Sequence, residues 1–306
     1  MLRRAYPARE LPARLLLAML LVACAAPLAA APVPLPPLLQ PPTSEHHVGK
    51  VIWADLVTPD LAAAERFYGG LFGWTFREIH MGSTQYAVAL LDGRPVGGLV
   101  QHAPPPGEHR QPAWLTFIAV SDVDATQQLV LRQGGKMLAA TRTYPQRGRQ
   151  AVFADPQGAV FAVLASSSGD PPDVLAAPGE WIWSSLIASD PGADAAFYQA
   201  LFGYEVFDSA NDDGSDHLIL STEDYARASV NPLPESGGRH HPHWLNFVRV
   251  LDTEQMVVTA TQLGGRVLVE PRVDRHGGKV AVVADPSGAP FGLLEWPQSQ
   301  SKEDMQ

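Results

Sequence analysis

The chain has 306 residues, 46% hydrophobic and 18% charged, which suits two ordinary domains with buried cores and argues against disorder over the main body. The formal charge is −10; four Arg stand against one Glu in the first 23 residues, so the body without them carries −13, which argues against a nucleic-acid partner. A lone cysteine, Cys24, excludes an intrachain disulfide framework, a Cys-rich zinc site and a Cys nucleophile in the folded body.

The four Arg lead into an apolar run at 15–23, LLLAMLLVA, which has signal-peptide length and is too short to span a bilayer. It ends Leu21-Val22-Ala23-Cys24, which resembles a bacterial lipobox. The expectation is a signal peptide over 1–23, lipid attachment at Cys24, and a protein held in the periplasm or cell envelope with its lipid as the only membrane contact. Cleavage after Ala29-Ala30-Ala31 is the alternative and would release a soluble periplasmic or secreted protein. Residues 24–47 are rich in Pro and Ala. Because Pro lacks an N–H, they are expected to form an extended tether.

The remainder is a tandem repeat with a constant offset of 130. Trp53/Trp183, Asp60/Asp190, Phe67/Phe197, Gly73/Gly203, Trp114/Trp244, Asp122/Asp252, Asp155/Asp285 and Phe161/Phe291 are all identities at that offset, and FYGGLFG answers FYQALFG. So long a period marks a duplicated domain rather than a solenoid. The expected domains are 48–167 and 178–298, with a linker at 168–177 and a polar tail at 299–306.

Each copy has the same grammar. A β-rich run, VIWADLVT, precedes Asp60, a good N-cap, after which Leu61, Ala64, Tyr68, Leu71 and Phe72 share a helical face that Gly73 ends. Pro191 follows Asp190 at the first helical position of the second copy. Strands are expected near 74–80, 84–91 and 95–101, and the cycle restarts at WLTFIAV. The last two strands are joined by the turn Asp155-Pro156-Gln157-Gly158. The pattern is βαβββ, twice per domain.

These motifs, strand-Asp-helix-FYxxLFG, WLxFxxVxD and ADPxGAxF, resemble the vicinal oxygen chelate superfamily of glyoxalases, extradiol dioxygenases and bleomycin-resistance proteins, and in particular its tandem two-domain glyoxalase-like members, over residues 50–298. The resemblance implies an α+β fold of two tandem domains, each of two βαβββ modules whose mixed sheet curls into a cup for a ligand. Fold alone does not give function.

The resemblance places metal ligands of metal-using members at 53, 115 and 162 and at 183, 245 and 292. Here these are Trp53, Leu115 and Ala162, and Trp183, Leu245 and Gly292, side chains without a donor for a divalent ion. The fourth position falls near Gln101 and Asn231. No metal cofactor is therefore expected.

What remains is an aromatic and aliphatic lining suited to a flat or hydrophobic small molecule, with Trp53 and Trp183 as floors or as plain core packing, and with Ala162 and Gly292 leaving room. Period two along the first strand puts Asp55 beside Trp53 and Ser185 beside Trp183. Asp55 is a candidate general base or substrate anchor; its structural alternatives are a pair with Arg142 or Arg149, or a strand twist that turns it to solvent. Arg142 and Arg272, recurring at the repeat offset, fit a structural ion pair, and Tyr86 and Tyr144 are candidates to line the first cup. The histidines around 239–243 and at 102 and 109 fit solvated loops better than a metal site.

Three functions follow in order. The first is metal-independent binding of a small hydrophobic or aromatic molecule. The second is a glyoxalase-like lyase, isomerase or hydroxylase-type enzyme. The third is a structural or partner-binding lipoprotein.

Overall fold

Asp60 has extended backbone and its carboxylate accepts the Ala63 N–H, so the chain turns into α1 (Leu61–Phe72) at the residue the sequence marks, and Gly73 ends the helix at φ 72°. Leu61, Ala64, Phe67, Tyr68 and Leu71 are its buried face, with Phe67 taking the place expected of Phe72. Asp190 and Gly203 bound α3 (Pro191–Phe202) in the same way. Asp122 and Asp252 cap α2 (Val123–Arg132) and α4 (Thr253–Gln262).

The computed structural model describes residues 35–81, 84–102, 111–209, 217–234, 241–274 and 277–296. The first domain holds β1 (Val51–Thr58), β2 (Thr75–Met81), β3 (Thr84–Leu91), β4 (Arg94–Gln101), β5 (Ala113–Ala119), β6 (Lys136–Tyr144), β7 (Gly148–Ala154) and β8 (Val160–Ser166). They form one mixed sheet in the order β2-β3-β4-β1-β5-β8-β7-β6. The pairs β1/β4 and β5/β8 are parallel and β1/β5 is antiparallel, which joins two βαβββ modules edge to edge. The second domain repeats this with β9 (Trp181–Ala188), β10 (Glu205–Asp208), β11 (Leu218–Thr222), β12 (Tyr225–Pro232), β13 (His243–Val250), β14 (Arg266–Val273), β15 (Lys279–Ala284) and β16 (Pro290–Glu295). Each sheet is curved and open. No helix among the described residues is long and apolar enough to cross a membrane.

Alternation along the strands gives each sheet two faces. Ala54 and Leu56 carry the helix-bearing face of the first sheet, and its core does not stop at the domain boundary. Leu56, Phe67, Tyr68, Leu99 and Trp114 pack with Val248, Val257, Val283 and Phe291 of the second domain. Reciprocally, Ile118, Val123, Phe153 and Phe161 pack with Leu186, Tyr198, Val230 and Trp244. Each core is therefore half from one copy and half from the other.

Residues 35–47 depart from the expected free tether. Leu35 and Leu38 are buried against the first domain, the Leu38 and Leu39 N–H groups donate to Ser168 Oγ (3.0 and 3.2 Å), and His47 N–H donates to Asp170 Oδ2 (2.8 Å). Proline bars this segment from a sheet ladder, yet it does not bar two leucines spaced by Pro36 and Pro37 from docking into an apolar hollow. The signal peptide and Cys24 lie outside the described residues.

Candidate functional site in the two concave faces

The faces opposite the helices hold the sequence-predicted site residues. In the first domain Trp53, Leu115, Ala162, Tyr86 and Tyr144 come together, with Val88, Phe117, Leu138, Ala139 and Val152 around them. Asp55 lies among them. Its Oδ1 accepts the Trp53 indole N–H at 2.7 Å and the Tyr86 O–H at 2.8 Å. Burial pushes the Asp55 carboxyl up, while the Arg147 charge and the two donated hydrogen bonds pull it back part of the way. Burial likewise raises the Tyr86 phenol.

The cation beside Asp55 is Arg147, neither Arg142 nor Arg149. Its guanidinium lies 4.0 Å over the centre of the Trp53 ring and its Nε donates to the Pro36 carbonyl at 2.8 Å. Arg149 instead forks onto Asp124, and its repeat counterpart Lys279 pairs with Glu254. An ion pair therefore recurs at 149 and 279, and Arg142 contacts the Tyr144 hydroxyl.

Leu35 and Leu38 cover this hollow and belong to its apolar cluster. Burying two leucine side chains is worth about 1.5–3 kcal/mol each. Ala162, expected to leave room, is fully buried and belongs to the same apolar cluster as Leu35 and Leu38. Gly98 has a clear purpose. A Cβ there would collide with Tyr86 Oη and Asp55 Oδ1, so only glycine lets those two groups meet.

The second concave face has the same framework and no such cover among the described residues. Leu138 and Ala139 are 6% and 4% exposed, whereas their counterparts Leu268 and Val269 are 44% and 37% exposed. Trp53 and Phe117 are buried, whereas Trp183 and Phe247 are half-buried. Leu245 is buried, like Leu115. A Cβ at Gly292 would collide with the Phe247 ring, so the room expected at Gly292 is taken by that ring, which lies against the sheet as part of the floor.

Polar groups here form a neutral chain. Trp183 Nε1 donates to Ser229 Oγ (3.1 Å), Ser229 and Ser185 hydroxyls meet at 2.8 Å, and Asn231 Nδ2 donates to Ser229 Oγ at 3.1 Å. Asn231 Oδ1 in turn faces His217 Nδ1. Strand register sets one position right: Val57 pairs with Val100 and its counterpart Ile187 with Asn231, so Asn231 answers Val100 rather than Gln101.

The metal positions implied by the resemblance are thus Trp53, Val100, Leu115 and Ala162 in one face and Trp183, Asn231, Leu245 and Gly292 in the other. Asn231 alone offers an oxygen, and that oxygen is engaged by His217. This donor set does not fit a divalent ion. Two acidic clusters elsewhere, His47 with Asp173 and Glu223 and Asp252 with Glu254 and Glu295, lie outside both faces; Lys50 and Arg227 neutralise the first and Lys279 the second.

The repeated FY, W and ADP motifs serve neither face. Trp114 Nε1 donates to Tyr68 Oη (2.9 Å), which donates to Asp285 Oδ2 of the other domain (3.2 Å). Trp244, Tyr198 and Asp155 form the same relay in reverse, at 3.0 and 3.1 Å. Arg147, Gly98, His217 and Ser229 escaped the sequence reading, because each acts through a cross-strand neighbour and not through a motif. Arg147 had one available signal, a basic residue inside the turn before Gly148 where the second copy has Gly277.

Residues 46–163 match the family described as Glyoxalase/Bleomycin resistance protein/Dioxygenase superfamily, and residues 184–294 match the Glyoxalase-like domain. Anthracycline biosynthesis protein DauV of Streptomyces sp. (strain C5) is 34% identical over 259 residues, which cover 81% of this chain and 93% of that protein. Among solved structures, the Mn(II)-bound glyoxalase from Novosphingobium aromaticivorans has a TM-score of 0.58 at 16% identity, over 82% of this chain and 83% of that one. The 2,3-dioxygenase LapB from Pseudomonas sp. KL28 has a TM-score of 0.56 at 15% identity, over 83% and 94%. At these identities the two structures share a fold with this chain and nothing further.

Proposed function

We propose that this chain, which belongs to the glyoxalase/bleomycin resistance protein/dioxygenase superfamily, binds a small flat apolar molecule in the concave face of its second domain without a metal ion. The observation that carries this reading is the contrast between equivalent residues: Leu138 is sealed and Leu268 is 44% exposed on the same framework. Exposed aliphatic and aromatic side chains gathered on a concave surface lose water most favourably to an apolar guest. The serine and asparagine groups beside Trp183 supply weak neutral hydrogen bonds that orient it. A relative named for anthracycline biosynthesis accords with a guest made of fused rings.

Chemistry by Asp55 has less support, because Leu35 and Leu38 lie over its hollow and its carboxylate is already engaged by Trp53 and Tyr86. Export through residues 1–23 and acylation at Cys24 belong to the same proposal and are checked by mass spectrometry of the mature N-terminus.

The binding test uses N-phenyl-1-naphthylamine, a neutral apolar aromatic probe, titrated into the full chain with and without EDTA. Trp183→Ala and Phe247→Ala are expected to weaken binding by about tenfold or more, and EDTA to leave it unchanged. Unaltered affinity in both variants, or loss of binding on chelation, would overturn the reading.

A further inference from the structure

The hollow of the first domain is built more elaborately than its own occupant requires. Arg147 is 1% exposed, its Nε donates to the Pro36 carbonyl, and its Nη2 is buried without an acceptor. Nε and Nη2 form one edge of the guanidinium fork, the edge that a carboxylate or sulfonate grips with two oxygens. A peptide carbonyl offers one oxygen and fills half of it. The other half is an unmet donor in an apolar hollow, which is costly for a structural residue and expected of a binding one.

The occupant is also loosely fastened. Pro36 and Pro37 have no N–H to give. Besides the Arg147 contact, the only polar hold on residues 35–39 among the described residues is two N–H groups on the one hydroxyl of Ser168; the rest is apolar packing by Leu35, Pro36, Leu38 and Leu39.

We propose that this hollow is a second small-molecule site, for a compound joining an apolar body to an anionic oxygen group, and that residues 35–38 occupy it as a displaceable stand-in. The guest's oxygens take Arg147 Nε and Nη2 together, and its apolar body takes the places of Leu35 and Leu38 against Leu115, Leu138 and Tyr144. Trp53, stacked under Arg147, and Tyr86, held by Asp55, fix the floor. Position 277, the repeat counterpart of Arg147, is Gly, so the two faces of one chain select different guests: an anion in the first and a neutral flat molecule in the second. This site does not depend on whether the second face binds anything.

The test counts bound anilinonaphthalene sulfonate, which is both apolar and anionic, on the full chain by equilibrium dialysis. Leu35→Ser with Leu38→Ser withdraws the stand-in, and the number bound per chain is expected to rise by one. Adding Arg147→Met is expected to abolish that extra molecule, while adding Trp183→Ala leaves it in place. Ser168→Ala loosens the segment without touching the leucines and is expected to give the same gain at higher probe concentration, which keeps the test decisive if the double variant folds poorly. No gain in either background, or a gain that survives Arg147→Met, would overturn the proposal. Failure of the second face alone would instead appear as absent binding of the neutral probe while the anilinonaphthalene sulfonate count still rises by one.

Discussion

Thr116 and Asn246 occupy equivalent positions of the two copies, 130 residues apart, and they are hydrogen-bonded to each other: Thr116 Oγ1 donates to Asn246 Oδ1 at 3.1 Å and Asn246 Nδ2 donates back at 3.0 Å. Contact between equivalent positions requires that they sit at a pseudo-two-fold axis, which here runs between β5 and β13. Ser184 Oγ adds a third bond to Asn246 Oδ1 at 2.7 Å. All three residues are buried. Asn246→Ala would leave the Thr116 and Ser184 hydroxyls without that acceptor and is expected to cost about 2–3 kcal/mol in urea unfolding.

Since the two cores on the helix-bearing faces draw on both copies, the domains are expected to unfold together. Scanning calorimetry should give one transition with equal calorimetric and van't Hoff enthalpies. Two separable transitions would contradict the shared cores.

The two Trp–Tyr–Asp relays make a related prediction. Tyr68→Phe leaves the Trp114 N–H without its acceptor and Asp285 Oδ2 without the Tyr68 donor, while Asp285 Oδ1 keeps its bonds from Ser287, Gly288 and Ala289, so the expected loss is about 1–3 kcal/mol. Tyr198→Phe should match it, and because the relays lie in separate cores the double variant should be additive within about 0.5 kcal/mol.

Gly98→Ala tests how the first hollow is assembled. The new methyl would collide with the Tyr86 hydroxyl and the Asp55 carboxylate, so stability is expected to fall by about 1–3 kcal/mol. Near-ultraviolet circular dichroism should report the displaced Tyr86 and Trp53.

Asp194, in the first turn of α3, is buried with one carboxylate oxygen lacking a partner. Burial, and then the charges of Asp155 and Asp190, push it up to about 7. An acid raised in the fold is favoured in its protonated form. The stability it confers is therefore complete below the unfolded carboxyl range near pH 4 and is lost as pH rises through about 7. Asp194→Asn should flatten this decline, and the gap between variant and parent should widen from pH 4 to pH 7 in denaturant titrations. The repeat counterpart is Ala64, so Asp194→Ala is the complementary variant.

Much of this molecule is legible in one dimension because its signals are local. Asp60 and Gly73 bound a helix through hydrogen bonds and a left-handed turn made within a few residues, and alternation in VIWADLVT puts Trp53 and Asp55 on one face without help from any distant strand. Duplication makes the second copy readable from the first. The absence of donors at 53, 115 and 162 is a matter of residue type alone.

Tertiary structure decided what covers those residues and which partners they take. Arg147 reaches Trp53 across the sheet, Gly98 matters through the atoms that would strike its Cβ, and the FY and ADP motifs meet only when the two copies pack face to face. Burial is a property of what lies above a surface, so equal sequence at 53 and 183 gave a sealed hollow in one domain and, among the described residues, a more exposed one in the other. Nothing within either copy records that Leu35 and Leu38, read as part of a tether, lie over the first.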